Sequence, residues 1–209
     1  GSIRFCIETT GIAAHTSMPE KGENAIYLMA KIIQIFQNKI EKQTVCRCDS
    51  ACKNATVAVS LIQGGTIVNS VPDHCIIHID RRMIPGETWE VVYQEMQDMV
   101  CKELSDNEKM RVIFQKPYLT DPSYGTKLEE DKKQIVKEVL KKHGLHERII
   151  GLPYGCDASK LAKWGIPVFV FGPGSIEQAH TKEEYIEIDQ IGKASEVLKD
   201  LVLKFTEKE

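Results

Sequence analysis

No apolar run in this chain approaches the ~20 residues that a membrane-crossing helix needs, so a bilayer is not expected as a partner. There is no charge excess either: 27 Lys and Arg against 30 Asp and Glu leave a net charge of −3. The two signs are interspersed, which argues against nucleic acid or a charged membrane surface. Seven cysteines are present, an odd number without regular spacing and without a Cys-x-x-Cys pair. That usage fits a reducing cytoplasm better than a disulfide framework. The only cluster is Cys46, Cys48 and Cys52. A zinc site there would need a fourth ligand, and the plainer reading is a polar loop from Glu41 to Asn54 that happens to hold three thiols. Repeats and low-complexity tracts are absent too.

What is present is globular. Hydrophobic residues make up 42% and charged residues 27% of 209 positions, enough for one large or two small domains. The first unit is expected to span residues 1–118. Ile3 to Glu8 alternates as a strand. A helix follows from Asn24 to about Ile40, with Ile26, Met29, Ile32, Ile33 and Phe36 recurring at three and four residues. Ala55 to Gln63, Ile67 to Val71 and His74 to Arg81 read as strands, with Gly64-Gly65 as a bend. Thr88 to Leu104 reads as an amphipathic helix and Met110 to Phe114 as a closing strand. This order predicts a two-layer α+β sandwich, helices over one face of an antiparallel sheet. The second unit, residues 119–209, opens on the turn-rich Asp121-Pro122-Ser123-Tyr124-Gly125. Helices are expected at Leu128 to His143, Ala158 to Trp164 and Ile188 to Phe205, with a weak strand at Ile149-Ile150.

The most informative stretch is Val168-Phe169-Val170-Phe171 followed by Gly172-Pro173-Gly174 and, six residues on, His180. Four such apolar residues read as a strand buried on both faces of a parallel sheet. The Gly-Pro-Gly turn ends it where open α/β sheets take their ligands. A loop histidine there could bind a metal or substrate, or have no duty at all.

Other motifs accompany it in order. They are Gly11-Ile12-Ala13-Ala14-His15 to Pro19, Gly64-Gly65-Thr66-Ile67-Val68-Asn69, Ile79-Asp80-Arg81-Arg82 to Gly86, and Gly155-Cys156-Asp157. Together they resemble the di-metal amidohydrolases and metallopeptidases that include acetylornithine deacetylase, succinyl-diaminopimelate desuccinylase, aminoacylase and carboxypeptidase G. The likeness covers nearly the whole chain. It implies a lid (dimerisation) domain followed by the C-terminal part of an α/β zinc-hydrolase catalytic domain. It also implies that the segment bearing most metal ligands is not among these 209 residues, so that the chain alone should not catalyse.

By that resemblance, the complete enzyme cleaves the amide bond of an N-acyl amino acid or dipeptide with water activated by two zinc or cobalt ions. His180 aligns with the last metal ligand. His15 aligns with a lid histidine that stabilises the oxyanion of the tetrahedral intermediate. Asn69 and Arg82 align with substrate-holding positions, and a guanidinium suits an α-carboxylate. Arg81 is the rival, because adjacent strand residues face opposite ways. Asp157 and Gly174 are expected to line the pocket, although a buried, loop-organising carboxylate is an equal account of Asp157. A homodimer through the lid and a cytoplasmic location are implied as well.

Three patterns invite over-reading. His78-Ile79-Asp80 matches a bare His-x-Asp, yet sheet-surface packing explains it better. Glu129-Glu130-Asp131 opens a helix, where acids favour the dipole. Thr181 and Glu184 have the spacing of a capping box.

Overall fold

Alternation along the first strand sets the architecture. In β1 (Ser2–Thr10) the odd residues Ile3, Phe5, Ile7 and Thr9 are fully buried, while Arg4, Glu8 and Thr10 on the other face are partly exposed. Such a strand needs a covered face and an open one. The computed structural model supplies both, and it describes residues 1–49, 53–126, 128–152, 154–179 and 181–207. Two compact units emerge: residues 1–125 with 151–163, and residues 126–150 with 164–209.

In the first unit β1 pairs antiparallel with β7 (His74–Arg82), in the register Ser2 to Arg82 and Thr10 to His74. β5 (Thr56–Gly64) continues the sheet beyond β7, with a bulge between Val59 and Leu61. The other edge of β1 is shared by β8 (Val112–Phe114) and β9 (Leu119–Asp121). β9 therefore still belongs to the first unit's sheet, although a boundary near Tyr118 had been expected.

Helices cover only the odd-residue face of β1. α1 (Ala25–Ile35) starts where the Asn24 side chain accepts from the backbone N–H groups of Ile26 and Tyr27, at 2.9 and 3.2 Å. It runs without a break through a π-helical turn, Phe36–Ile40, into α2 (Glu41–Val45). The wider turn keeps both Phe36 and Ile40 on the buried side. The polar loop expected from Glu41 is thus helical for its first five residues. A small hairpin of β3 (Cys48–Asp49) and β4 (Lys53–Asn54) follows. α3 (Trp89–Glu103) adds Val92, Met96 and Val100 to the core, and Phe5 meets Tyr93 edge-on at 5.0 Å. The short α4 (Asp106–Lys109) went unread in the sequence, although Ser105 and Glu108 form a reciprocal capping box there. Instead of a full strand from Ile67, only β6 (Ser70–Val71) pairs, with β2 (Ala14–His15); Val68 lies wholly exposed in the loop.

The second unit is built on α5 (Glu130–Lys142) and α7 (Ile188–Thr206), which bury Val136, Val139 and Leu140 against Val197 and Leu201. Lys132 and Lys133 pair with Glu129 and Glu130 at the helix start, so that acidic run is a solvated helix terminus. α6 (Ala158–Lys163) belongs to the first unit. Two strand expectations fail here. Ile149-Ile150 and Val168–Phe171 are in no strand, and Phe169 and Val170 are exposed. A strand exists only by hydrogen bonding to a neighbour, and no described segment pairs with either. The Thr181 hydroxyl donates to the Gln178 carbonyl at 2.8 Å, while Ser175 caps the 3-10 turn at Ile176–Gln178.

Candidate functional site

The histidine loop sits at one end of the sheet. Gly11 passes so close to Glu23 that a Cβ would lie 2.0 Å from its carbonyl oxygen, so only glycine fits. The chain then pairs His15 with Ser70, and the Thr16 N–H donates to the Asn69 carbonyl at 3.1 Å. His15 and Asn69 are thereby neighbours, both exposed. The His15 Nδ1 accepts from the Ser17 backbone N–H at 3.2 Å, with Ser17 Oγ at 2.7 Å. An accepting Nδ1 leaves the proton of the neutral ring on Nε2. That N–H has no partner among the described residues and is available to an oxyanion. An open cleft of about 780 Å³ adjoins, lined by Thr16, Pro19, Tyr27, Ile67, Val68 and Pro72 among others.

Arg82 lies at the other end. β7 spans nine residues from His74, beside the His15 loop, to Arg82. At ~3.3 Å per residue the two places are roughly 25 Å apart. The two arginines also divide cleanly. Arg81 is buried beneath the helices, donating to the Arg82 carbonyl and, at 2.6 Å, to Glu87. Glu87 also takes Arg47 at 3.2 Å and the Ile84 N–H at 3.0 Å. Burial lowers the Arg81 pKa and Glu87 opposes that shift, so this guanidinium is a buried structural cation. Arg82 stands on the open face. Its Nε and one terminal nitrogen bind the two Asp80 oxygens at 2.6 and 3.2 Å. No described residue bonds the other fork edge of its guanidinium, and the side chain is 36% exposed.

Asp80 has a second cation. Arg4, its cross-strand partner, donates through Nε to Oδ2 at 2.7 Å. Neither Arg4 nor the Asp80 clamp was recognised in the sequence. The clamp was legible as the i, i+2 step of Asp80 and Arg82 on one face, but Arg4 required the β1–β7 register.

The remaining expected residues are scattered. Gly155 approaches this same end, where a Cβ would sit 3.8 Å from the Asp121 carboxylate, itself bonded to Ser2 Oγ at 3.4 Å. Asp157 is exposed rather than buried, and Lys160 at 2.7 Å holds its pKa down. In the second unit Gly174 has φ +89°, and its N–H donates to Gln190 at 2.8 Å. A Cβ there would press to 3.0 Å on Ile186. His180 and Cys52 lie outside the described residues. His78 packs edge-on to Tyr118 and sits 3.3 Å from Cys6 Sγ; burial pushes that thiol's pKa up. Cys46 and Cys48 are exposed and free. No three His, Cys, Asp or Glu side chains converge on a possible metal position among the described residues. No described helix is long and apolar enough to cross a membrane.

Known proteins resemble the chain in two stretches. Residues 1–108 match the peptidase dimerisation domain, and residues 112–204 match peptidase family M20/M25/M40. An acetylornithine deacetylase of Buchnera aphidicola is 27% identical over 98% of this chain and 52% of its own length. One from Myxococcus xanthus is 27% identical over 95% and 51%. The chain thus spans about half the length of the curated relatives it matches. Among solved structures, a tripeptidase from Staphylococcus aureus superposes with a TM-score of 0.73 at 21% identity, over 96% of this chain and 50% of that one. A dinuclear metal-binding peptidase of Bacillus subtilis gives 0.69 at 21% identity, over 99% and 50%. Fold and motifs converge, and the chain belongs to the M20 peptidase family, with its dimerisation domain in the first half.

Proposed function

We propose that this chain is part of a hydrolase that cleaves the amide bond of an N-acyl amino acid, with acetylornithine the first substrate to test. The observation that carries the reading is Arg82, a half-exposed guanidinium clamped on one edge by Asp80. Its free fork edge suits the α-carboxylate of an amino acid, through two parallel hydrogen bonds. His15 complements it. The Nε2–H left by the Ser17 contact is a preorganised donor for the negative charge that develops on an amide oxygen during attack. Asn69 beside it holds the acyl or amide group, and the Asp157 and Gly174 loops line the pocket.

Metal chemistry enters through His180. It supplies one ligand to a two-ion centre, zinc or cobalt, whose other ligands lie in the half of the relatives' length that this chain does not span. Those ions supply the activated water. On this reading the 209-residue chain is a dimerisation and substrate-binding piece that does not turn over alone.

The sheet unit, through β9, acts as the lid and joins two protomers. The separation of His15 and Arg82 by roughly 25 Å supports that arrangement, since a small N-acyl amino acid cannot touch both ends of one sheet. His15 and Asn69 of one protomer serve the site that Arg82 of the other completes.

The test is made in the full-length enzyme that carries this chain. Arg82→Ala raises KM for N-acyl amino acids by far more than for analogues lacking the α-carboxylate, a loss of about 2–4 kcal/mol. Equal effects on both substrate types make Arg82 structural and overturn the reading.

A further inference from the structure

Arg4 is an unneeded cation if the triad it belongs to is only structural. Asp80 is already held through both oxygens by Arg82, at 2.6 and 3.2 Å. An additional half-exposed ion pair contributes little to stability. Arg4 nevertheless extends across from the neighbouring strand to Asp80 Oδ2 at 2.7 Å, spending only its Nε edge. Its two terminal nitrogens have no hydrogen-bond partner among the described residues. The two Nε atoms lie within about 8 Å of each other, the length of two hydrogen bonds and a carboxylate.

The surroundings favour a second anion. On the open face, Arg4 and Arg82 carry two positive charges against Asp80. Asp121 stands near Arg4, and Lys160 offsets it. The other cross-strand neighbour of Arg4 is Leu119, next to Tyr118, so the strand position beside Arg4 on the side away from Asp80 carries an apolar residue. A cationic tail on the substrate, such as that of acetylornithine, would meet repulsion from Arg4 at this place, so on this inference acetylornithine is a disfavoured member of the N-acyl amino-acid class.

We propose that Arg4 is a specificity-determining residue, a second guanidinium beside Arg82 that selects substrates carrying a second carboxylate. This rests on the assignment of Arg82 to the substrate α-carboxylate. The second carboxylate can belong to the amino-acid side chain or to the acyl group. In both cases two forks, held apart by one shared aspartate, receive two carboxylates.

The experiment compares matched substrates in the full-length enzyme: N-acetylglutamate with N-acetylglutamine, and N-succinylalanine with N-butanoylalanine. In at least one pair the dianion is favoured in kcat/KM by about ten-fold or more, the size expected of one charge-assisted contact. The favoured pair identifies whether side chain or acyl group bears the second carboxylate. Arg4→Gln brings that ratio near one, Arg4→Lys retains part of it, and Arg82→Gln raises KM for both members together. A ratio near one in the wild type, or one that survives Arg4→Gln, overturns the proposal. If no member is hydrolysed, the proposed function fails, and binding to the 209-residue chain decides the Arg4 assignment separately. Arginine side-chain N–H resonances titrated with glutarate and with butyrate then report a several-fold tighter dicarboxylate that Arg4→Gln abolishes. Equal affinities, or a preference indifferent to Arg4, overturn it in that case.

Discussion

The sheet unit and the helical unit treat their apolar residues differently. In the first, β1 has a partner on both edges, and Ile3, Phe5, Ile7, Ile77 and Ile79 are at or below 1% exposure under α1 and α3. In the second, two helices bury five residues between them, while Val168–Phe171 finds no strand to pair with among the described residues and Ile188, Ile191 and Val202 face outward. Hydrophobicity alone does not make a strand. A helix satisfies its own backbone, whereas a strand borrows its hydrogen bonds from a neighbour.

That contrast can be broken most severely at Phe5. Phe5→Ala removes a fully buried ring from the sheet core and costs about 3–5 kcal/mol in denaturant unfolding of the first unit. Leu201→Ala, between α7 and α5, costs about 2–3 kcal/mol and acts locally. Amide exchange should rise in both helices while β1 and β7 stay protected. Loss of protection in the strands as well would show that the two units unfold together.

Acid sharpens the comparison by a smaller amount. Lys31 first, then the Ser105 backbone, hold Glu108 down at about 2, well below its ordinary 4.5. A depressed carboxylate stabilises the fold above its ordinary value and loses that contribution as pH falls through the depressed one. Glu108→Gln is therefore expected to cost about 1 kcal/mol near neutrality, after solvent screening, and only a small remainder of that near pH 2. Thermal melts from pH 2 to 7 check this, and a mutant deficit that is constant across the range contradicts it. Asp200 in the second unit, held low by Lys142 and then His143, loses its contribution in the same direction.

Much of the sheet unit was legible in the sequence, because period-two and period-3.6 patterns carry their own geometry. β7 and α3 matched their expected spans to within a residue or two. The Val168–Phe171 strand failed for the reason just given: composition encodes burial, and pairing needs a partner. The site was legible only in part. His15, Asn69 and Arg82 stood out as motif positions, but their separation and the choice between Arg81 and Arg82 depended on which way a strand faces. Arg4 was silent, because a cross-strand neighbour 76 positions away in sequence leaves no local mark.

The proposed site is completed by His15 of one protomer and Arg82 of the other. Its most direct measurement mixes His15→Ala and Arg82→Ala versions of the full-length enzyme, with subunit exchange verified by mass and activity read well below KM. Each homodimer is nearly inactive. With equal random mixing, half the dimers are mixed and half of their sites are intact, so about a quarter of wild-type activity returns. Recovery near zero, with exchange verified, contradicts the account and makes the lid a cover for its own centre.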